Sequence, residues 1–300
     1  MSINDSVQQH AIIEFSSDVD VRMQQKRART EPFVKTVKMK GKAMAYDGIG
    51  TVELGDLNGR YQAVEFSEME HWRRKIVKAR FGATLPIDDE DINERLTNPE
   101  SGYAEALALA AKRKFDKVVV AAMFADVKTG EDFENTVTAT ADGVLTVDAT
   151  AGLTYEKLLE IHQNFIDNEV GNDMDTRLCL GITGSEHTDL MSELELTSGD
   201  YSREYVVDSG RIQKATGIEL IRFAASGAGG ADPVLPVAGG TRTSFCMAEG
   251  AIVVAVSKAW SIEVEKRPDL YGTKQVKITG TLGAVRTQGK LIQKVTTTAA

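Results

Sequence analysis

The sequence predicts an α+β fold: one long helix crossing a sheet formed late in the chain, with a separate lobe inserted between the two. Three observations carry this. Residues 103–126 contain neither Gly nor Pro, and Ala104, Leu107, Ala108, Ala111, Phe115, Val118, Val119 and Ala122 recur at steps of three and four, a continuous apolar stripe on one helical face. Segments 261–265, 274–281 and 290–295 alternate in polarity with the period of two of strands. Between 137 and 240, strand-like and helix-like stretches alternate, the pattern of an α/β layer.

Taken in order, residues 1–30 read as an amphipathic helical arm, with Val7, Ile12, Ile13, Phe15 and Val19 as its apolar content and Pro32 as its stop. From 33 to 66 the chain turns extended. Val37 and Met39 alternate with Lys38, Lys40 and Lys42, and glycine-containing turns follow at 46–48 and 55–59 before a second extended piece at 60–66. A long hairpin with so few large apolar residues cannot bury itself, so it is flexible or lies on another subunit. Residues 68–83 contain the basic, aromatic patch HWRRKIVKAR. The acidic run at 88–91 lacks the spacing and closing Glu of a calcium loop and reads as a charged helix start.

The long helix is placed at 98–126, with Asn98 as cap, Pro99 in the first turn and Glu100 at the positive end of the dipole. At about 1.5 Å per residue it spans roughly 40 Å, long enough to be the spine of a domain or an extended core helix of an α/β enzyme. Asp142-Gly143 between Val/Thr runs signals a hairpin over 137–147. A second helix is expected over 153–170, capped by Thr154 and burying Leu158, Leu159, Ile161, His162, Phe165 and Ile166. A buried strand over 177–182, a helix over 185–194 and a strand over 218–223 follow, then an irregular Gly/Ala-rich loop to 240. The apolar stretch 244–256 turns through Ala248-Glu249-Gly250.

With 300 residues, 42% hydrophobic and 26% charged, the composition is that of a globular chain able to bury a large core. The apolar runs are far too short to span a bilayer, so no membrane partner is expected, and the N-terminus lacks a signal-peptide pattern. Cys179 and Cys246 sit in apolar segments as buried free thiols. The net charge of −9 argues against general nucleic-acid binding, yet residues 21–42 hold eight Lys or Arg against Glu31 alone. That +7 segment either touches polyanions or acidic patches on a neighbouring copy, or is a solvated basic face. Phosphate-loop, zinc-protease, dithiol and serine-elbow motifs are missing. The histidines at 10, 71, 162 and 187 are scattered, so no catalytic, cofactor-binding or metal residue is assigned.

Four blocks nevertheless resemble, in the same order, the major capsid proteins of tailed bacteriophages of the Hong Kong 97 type. AIIEFSSDVDVRMQQKRARTEPFV at 11–34 is similar to the N-terminal arm, and LPIDDEDINERLTNPESGYAEALALAAKRKFDKVVVAAM at 85–123 to the lead-in and spine helix. GRIQKATGIELIRF at 210–223 resembles the strand closing the axial domain, and VEKRPDLYGTKQVKITGTLGAVRTQGKLIQKV at 264–295 the final sheet of the peripheral domain. The resemblance implies an N-terminal arm at 1–32, an extended loop at 33–70, a peripheral domain at 71–135 and 256–300 carrying the spine helix, and an axial domain at 136–255. It implies a non-enzymatic protein that assembles as pentamers and hexamers into an icosahedral virion shell around double-stranded DNA, in the host cytoplasm and without cofactors. Lys38, Lys40, Lys42, Asp47, Glu53, Asp56 and Arg60 then become subunit-interface residues of the loop and arm, and Arg22, Lys26, Arg27 and Arg29 contacts to DNA or a neighbour. A portal, a decoration protein and, because the sequence opens at the arm, a separate scaffolding protein are expected partners; no Lys–Asn cross-link between subunits is expected. An encapsulin-like shell around a cargo enzyme shares the implied fold and is the alternative; a soluble α/β enzyme is the more distant one.

Overall fold

The computed structural model describes residues 25, 27–52, 54, 68–87, 100–171, 176–193, 212–227, 232–267, 269 and 273–299. In chain order the elements are β1 (Lys35–Lys38), β2 (Ala43–Ile49), β3 (His71–Val77), β4 (Ala79–Ile87), α1 (Glu100–Phe124), β5 (Val127–Thr129), β6 (Asn135–Val137), β7 (Leu145–Ala149), α2 (Tyr155–Ile166), β8 (Leu178–Ile182), α3 (Gly184–Ser192), β9 (Lys214–Ala215), β10 (Ile218–Arg222), β11 (Val237–Ala238), β12 (Thr241–Ala248), β13 (Ile252–Lys266), β14 (Lys274–Arg286) and β15 (Ile292–Thr298). They form three sheets. The first runs β1-β13-β14-β4, the second β7-β15-β12-β8-β10-β9 with β11 paired to β12, and the third β2-β3-β5-β6.

Helix α1 lies across the first sheet as the periodicity requires: Leu107 and Ala111 pack with Ile87, Val276 and Ile278. Farther along, Val119, Val120 and Met123 enter a second core with Phe245, Met247, Ile252 and Val254. The expected stripe is therefore only part of what the helix buries. Leu109, Asp116, Val120 and Met123 form another buried row, because the chain around residues 29–33 lies against that side. Asn98 and Pro99 lie outside the described residues, and the helix closes at Phe124, two residues short of the expected end.

The second sheet is sandwiched. One face carries α2 and α3, with Leu158, Ile161, Phe165, Leu180, Ile182, Leu190 and Val295 in one cluster; the other receives the end of α1 through Cys179, Phe245 and Met247. Every residue of β8 is buried, which is why it reads as a continuous apolar run. β8 and β10 run parallel with α3 in the chain between them, so an α/β layer is present here, within a sheet that is otherwise mostly antiparallel. In α2, Leu158, Ile161 and Phe165 are buried as expected. Leu159 and Ile166 are instead 44% and 50% exposed, since only one stripe of a single-layer helix meets the sheet. Thr154 holds the N-cap position in extended conformation without a side-chain capping bond.

Strand partnership departs from expectation in four places. β1 pairs in parallel with β13, while β2 pairs with β3 from Ala43↔Val77 to Ile49↔His71, so the projecting hairpin is built from 43–49 and 71–77 and not from two arms within 33–66. Residues 60–66 lie outside the described residues. The Asp142-Gly143 turn exists, with Gly143 at φ +92° and its N–H donating to the Thr140 carbonyl. Its flanks join different sheets, however: β6 pairs with β5, and β7 with β15. The chain crosses from the second sheet to the first at the turn after β12, so residues 252–255 belong with β1 and β14 and not with the inserted lobe. β15 returns to the second sheet between β12 and β7, not to the sheet of β14. Alternation alone shows that a strand has a buried face; it does not say against which sheet.

Candidate subunit interface

The third sheet carries Asp47 on β2 and most of the basic, aromatic patch on β3. Its two faces follow from strand alternation. Inward, Trp72 lies over Gly48, where an added Cβ would sit 1.9 Å from the ring. The Trp72 ring is 5.9 Å from Tyr46, with the Arg74 guanidinium 5.4 Å from the Trp72 centroid. Outward, Arg73 Nε donates to Asp47 Oδ1 at 2.7 Å; this hydrogen bond holds the Asp47 carboxyl below its ordinary range and the Arg73 guanidinium above its own. At the end of the hairpin farthest from the first sheet lies a groove of about 750 Å³, lined by Asp47, Ile49, Glu70, Trp72, Arg73 and Glu131 among others. Glu70 and Glu131 are exposed in its lining, and Asp132, next to Glu131 in the chain, is exposed too.

At the opposite end, Met39 is buried with Ile76, Val127, Val253, Ala255 and Val285, and its N–H donates to the Val256 carbonyl at 3.0 Å. That anchor leaves the flanking Lys38, Lys40 and Lys42 exposed. Of the loop residues expected at an interface, Lys38, Lys40, Lys42 and Asp47 are thus at the surface, whereas Glu53, Asp56 and Arg60 lie outside the described residues.

The arm residues divide similarly. Arg22 and Lys26 lie outside the described residues, and Arg27 is exposed. Arg29 is committed within its own chain: its guanidinium sits 5.7 Å from the Phe223 centroid. Burial lowers its pKa, with Asp116 opposing and Arg222 adding to the effect. The backbone here is strapped to α1 by Asp116, which is fully buried. Its carboxylate accepts the Arg29 N–H at 3.0 Å, the Thr30 N–H at 3.0 Å, the Thr30 hydroxyl at 2.8 Å and the Gln25 amide. Phe33 then inserts into the core beside Val119 and Met123.

A second, largely buried carboxylate joins the three sheets. Asp142 accepts Arg74 Nη2 on Oδ1 and Arg286 Nε on Oδ2, both at 2.6 Å. Arg286, fully buried, also donates to the Met123 carbonyl at the end of α1 at 2.7 Å. Burial pushes the Asp142 carboxyl up, but hydrogen bonds from Arg74 and then Arg286 outweigh it and hold it below the ordinary range. In the second sheet, Glu186 Oε1 accepts Ser244 and Thr297 hydroxyls and Oε2 accepts the Thr183 hydroxyl and N–H. Sequence reasoning missed all three carboxylates. For Glu186 a signal existed, the T-x-x-E spacing from Thr183 at the start of a helix; for Asp116 and Asp142 the partners are too far away in sequence to leave one.

All three carboxylates are engaged by donors of their own chain. His187 accepts the Ile212 N–H at 3.3 Å and faces Arg222; burial and then Arg222 lower its pKa. Cys179 and Cys246 are buried free thiols whose pKa values burial pushes up. Among the described residues no group of three or more His, Cys, Asp or Glu side chains could hold a metal ion.

A spine helix packed on the first and second sheets, a projecting charged hairpin and a strapped arm define the class: a shell-forming capsid fold. The whole chain superimposes on capsid structures of tailed-phage type. The capsid of Cyanophage P-SCSP1u matches with a TM-score of 0.71 at 12% identity, covering 98% of this chain and 95% of that one. The acid-stable capsid of Helicobacter pylori bacteriophage KHP30 gives 0.71 at 10% identity over 99% of both chains, and the Cyanophage Pam1 capsid 0.71 at 14% over 97% of both. A comparison with curated protein sequences finds no match. The family profile described as phage capsid protein matches residues 7–298, and the chain belongs to that family. It is a structural protein, a major capsid protein of the virion shell.

Proposed function

We propose that this chain assembles as pentamers and hexamers into an icosahedral shell enclosing double-stranded DNA, formed in the host cytoplasm with a separate scaffolding protein and a portal, and open to a decoration protein. The observation that carries the proposal is the third sheet. Its edge strand β2 is unpaired on its outer side among the described residues, its outer face is charged, and Ile49 and Val77 are 59% and 61% exposed. Such a hairpin has surface to offer and no core of its own, which suits contacts repeated between copies. The extended loop, residues 33–70, lies over a neighbouring subunit, with Lys38, Lys40, Lys42 and Asp47 at the contact and Glu53, Asp56 and Arg60 beyond them. The segment from Arg22 to Arg27 meets DNA phosphates or a neighbour. The peripheral domain is built on α1 and the first sheet, the axial domain on the second. Contacts between unlike surfaces close into rings of five and six and then into a shell.

The test is particle size of the purified chain, by light scattering and negative-stain microscopy, with and without a co-expressed scaffolding protein. Closed shells, rings or sheets of rings are expected, with uniform size only when the scaffold is present, and nuclease-protected DNA in particles from infected cells. A stable monomer or dimer under both conditions overturns the reading; uniform shells from this chain alone would remove the scaffold from it.

A further inference from the structure

Resting on the shell reading, we infer that the acidic groove at the far end of the hairpin of one copy receives the Lys38–Lys42 loop of the next copy. The groove is lined by Trp72, Glu70 and Glu131, with His71 and the Asp47–Arg73 pair in the same lining, and Asp132 is exposed next to Glu131. Asp47 is neutralised by Arg73, and Arg73 senses Glu131 and Asp132 only as more distant charges. No cation lies within 4 Å of the Glu70, Glu131 or Asp132 carboxylates among the described residues. The groove therefore presents a negative, partly apolar surface that lacks its counter-charge.

The matching surface is on the same chain. Lys38, Lys40 and Lys42 are exposed around Gly41, and none pairs with a carboxylate among the described residues. Met39, buried between two of them, fixes the backbone so that the loop is presented and not collapsed. The long lysine stems can lie on Trp72 while their ammonium groups reach the groove's carboxylates. The two surfaces sit at opposite ends of β2 and β3. At about 3.3 Å per residue they are more than 20 Å apart and cannot meet within one copy. Contact between copies is then head-to-tail, a heterologous interface of the kind that closes into rings. Packaged DNA could neutralise the lysines but not the groove; a second copy satisfies both with one contact.

Charge reversal tests this directly. One variant carries Lys38→Glu, Lys40→Glu and Lys42→Glu, a second Glu70→Lys, Glu131→Lys and Asp132→Lys, and a third all six. All six side chains are exposed, so each variant should keep the cooperative melting of the parent protein. Each triple variant should lose shells and rings in sedimentation, and the six-fold variant should regain them. Assembly of either triple variant at parental yield overturns the inference. So does failure of the folded six-fold variant, or a lysine variant that assembles normally but loses nuclease-protected DNA. If the parent chain itself never assembles, the shell reading fails instead, so the two failures are told apart.

Discussion

Asp142 shows how one residue can hold distant parts of a chain. Two arginines, one from the hairpin and one from β14, converge on its carboxylate, and Arg74 Nε and Arg286 Nη2 already lack hydrogen-bond partners. Replacing Asp142 with Asn leaves two buried cations without a counter-charge, which typically costs about 3–5 kcal/mol; denaturant titration of the dissociated subunit should show a loss of that order. The pH dependence follows from the depressed carboxyl. Stability from a group with a lowered folded pKa is present above its unfolded value, ~3.9, and is lost as pH falls through the folded one. The gap between the parent and Asp142→Asn should therefore be full at neutral pH and narrow as acid is added below about pH 4. A gap independent of pH would mean that Asp142 acts through shape and not charge. Asp116 works differently, as an acceptor for backbone and neutral donors. Asp116→Ala leaves those donors unsatisfied at about 1–3 kcal/mol for each that stays buried. Trypsin should then cleave after Arg27 and Arg29 sooner than in the parent, and unchanged cleavage kinetics would refute the strap.

At the scale of elements, the consequential finding is the position of β15. It lies between β12 and β7, with Ile292 and Val295 fully buried and Gln293 donating to the Ile161 carbonyl of α2 at 2.9 Å. Deleting 292–300 removes an interior strand of the second sheet. At roughly 2–5 kcal/mol per large buried side chain, the loss rivals the whole ~5–15 kcal/mol stability of a domain. The truncated chain should lose its cooperative melting transition, whereas deletion of 299–300 should leave it intact; a cooperative, parent-like melt for the longer deletion would show β15 to be dispensable. The existence of β15 was legible in the alternation of 290–295, as α1 was in its stripe and β8 in its unbroken apolar run. Its place was not legible, because alternation records a buried face without recording the partner. The Asp142-Gly143 turn illustrates the same limit: the turn chemistry was correct, but the strands it joins go to different sheets. At the candidate interface, the exposed lysines and Asp47 were visible as charge in an extended stretch. The groove was not, since it brings residues near 48, 72 and 130 together through pairing that only the fold creates.

The whole molecule separates into a body that holds itself together and a hairpin that does not need its own tip. The body is knit by α1, by the core shared between the first and second sheets, and by the Asp142 cluster. The hairpin ends on a close approach: the Gly50 N–H donates to the Glu70 carbonyl at 2.7 Å, so the chain before 51 and the chain after 69 are already neighbours. Residues 51–69 can therefore be replaced by Asn-Gly, the pair suited to a two-residue hairpin turn, without pulling on either strand. Shortening the loop lowers the entropy of closing it, a gain on the order of 1 kcal/mol or more, so the folded subunit should melt at or slightly above the parent temperature. If residues 51–69 lie over a neighbour in the shell, the same protein should remain as free subunits or small oligomers in sedimentation and microscopy while the parent forms shells. Loss of folding would place the segment inside the body, contrary to the Gly50–Glu70 closure. Shells at parental yield would show that copies meet through the charged ends of the hairpin and the body alone.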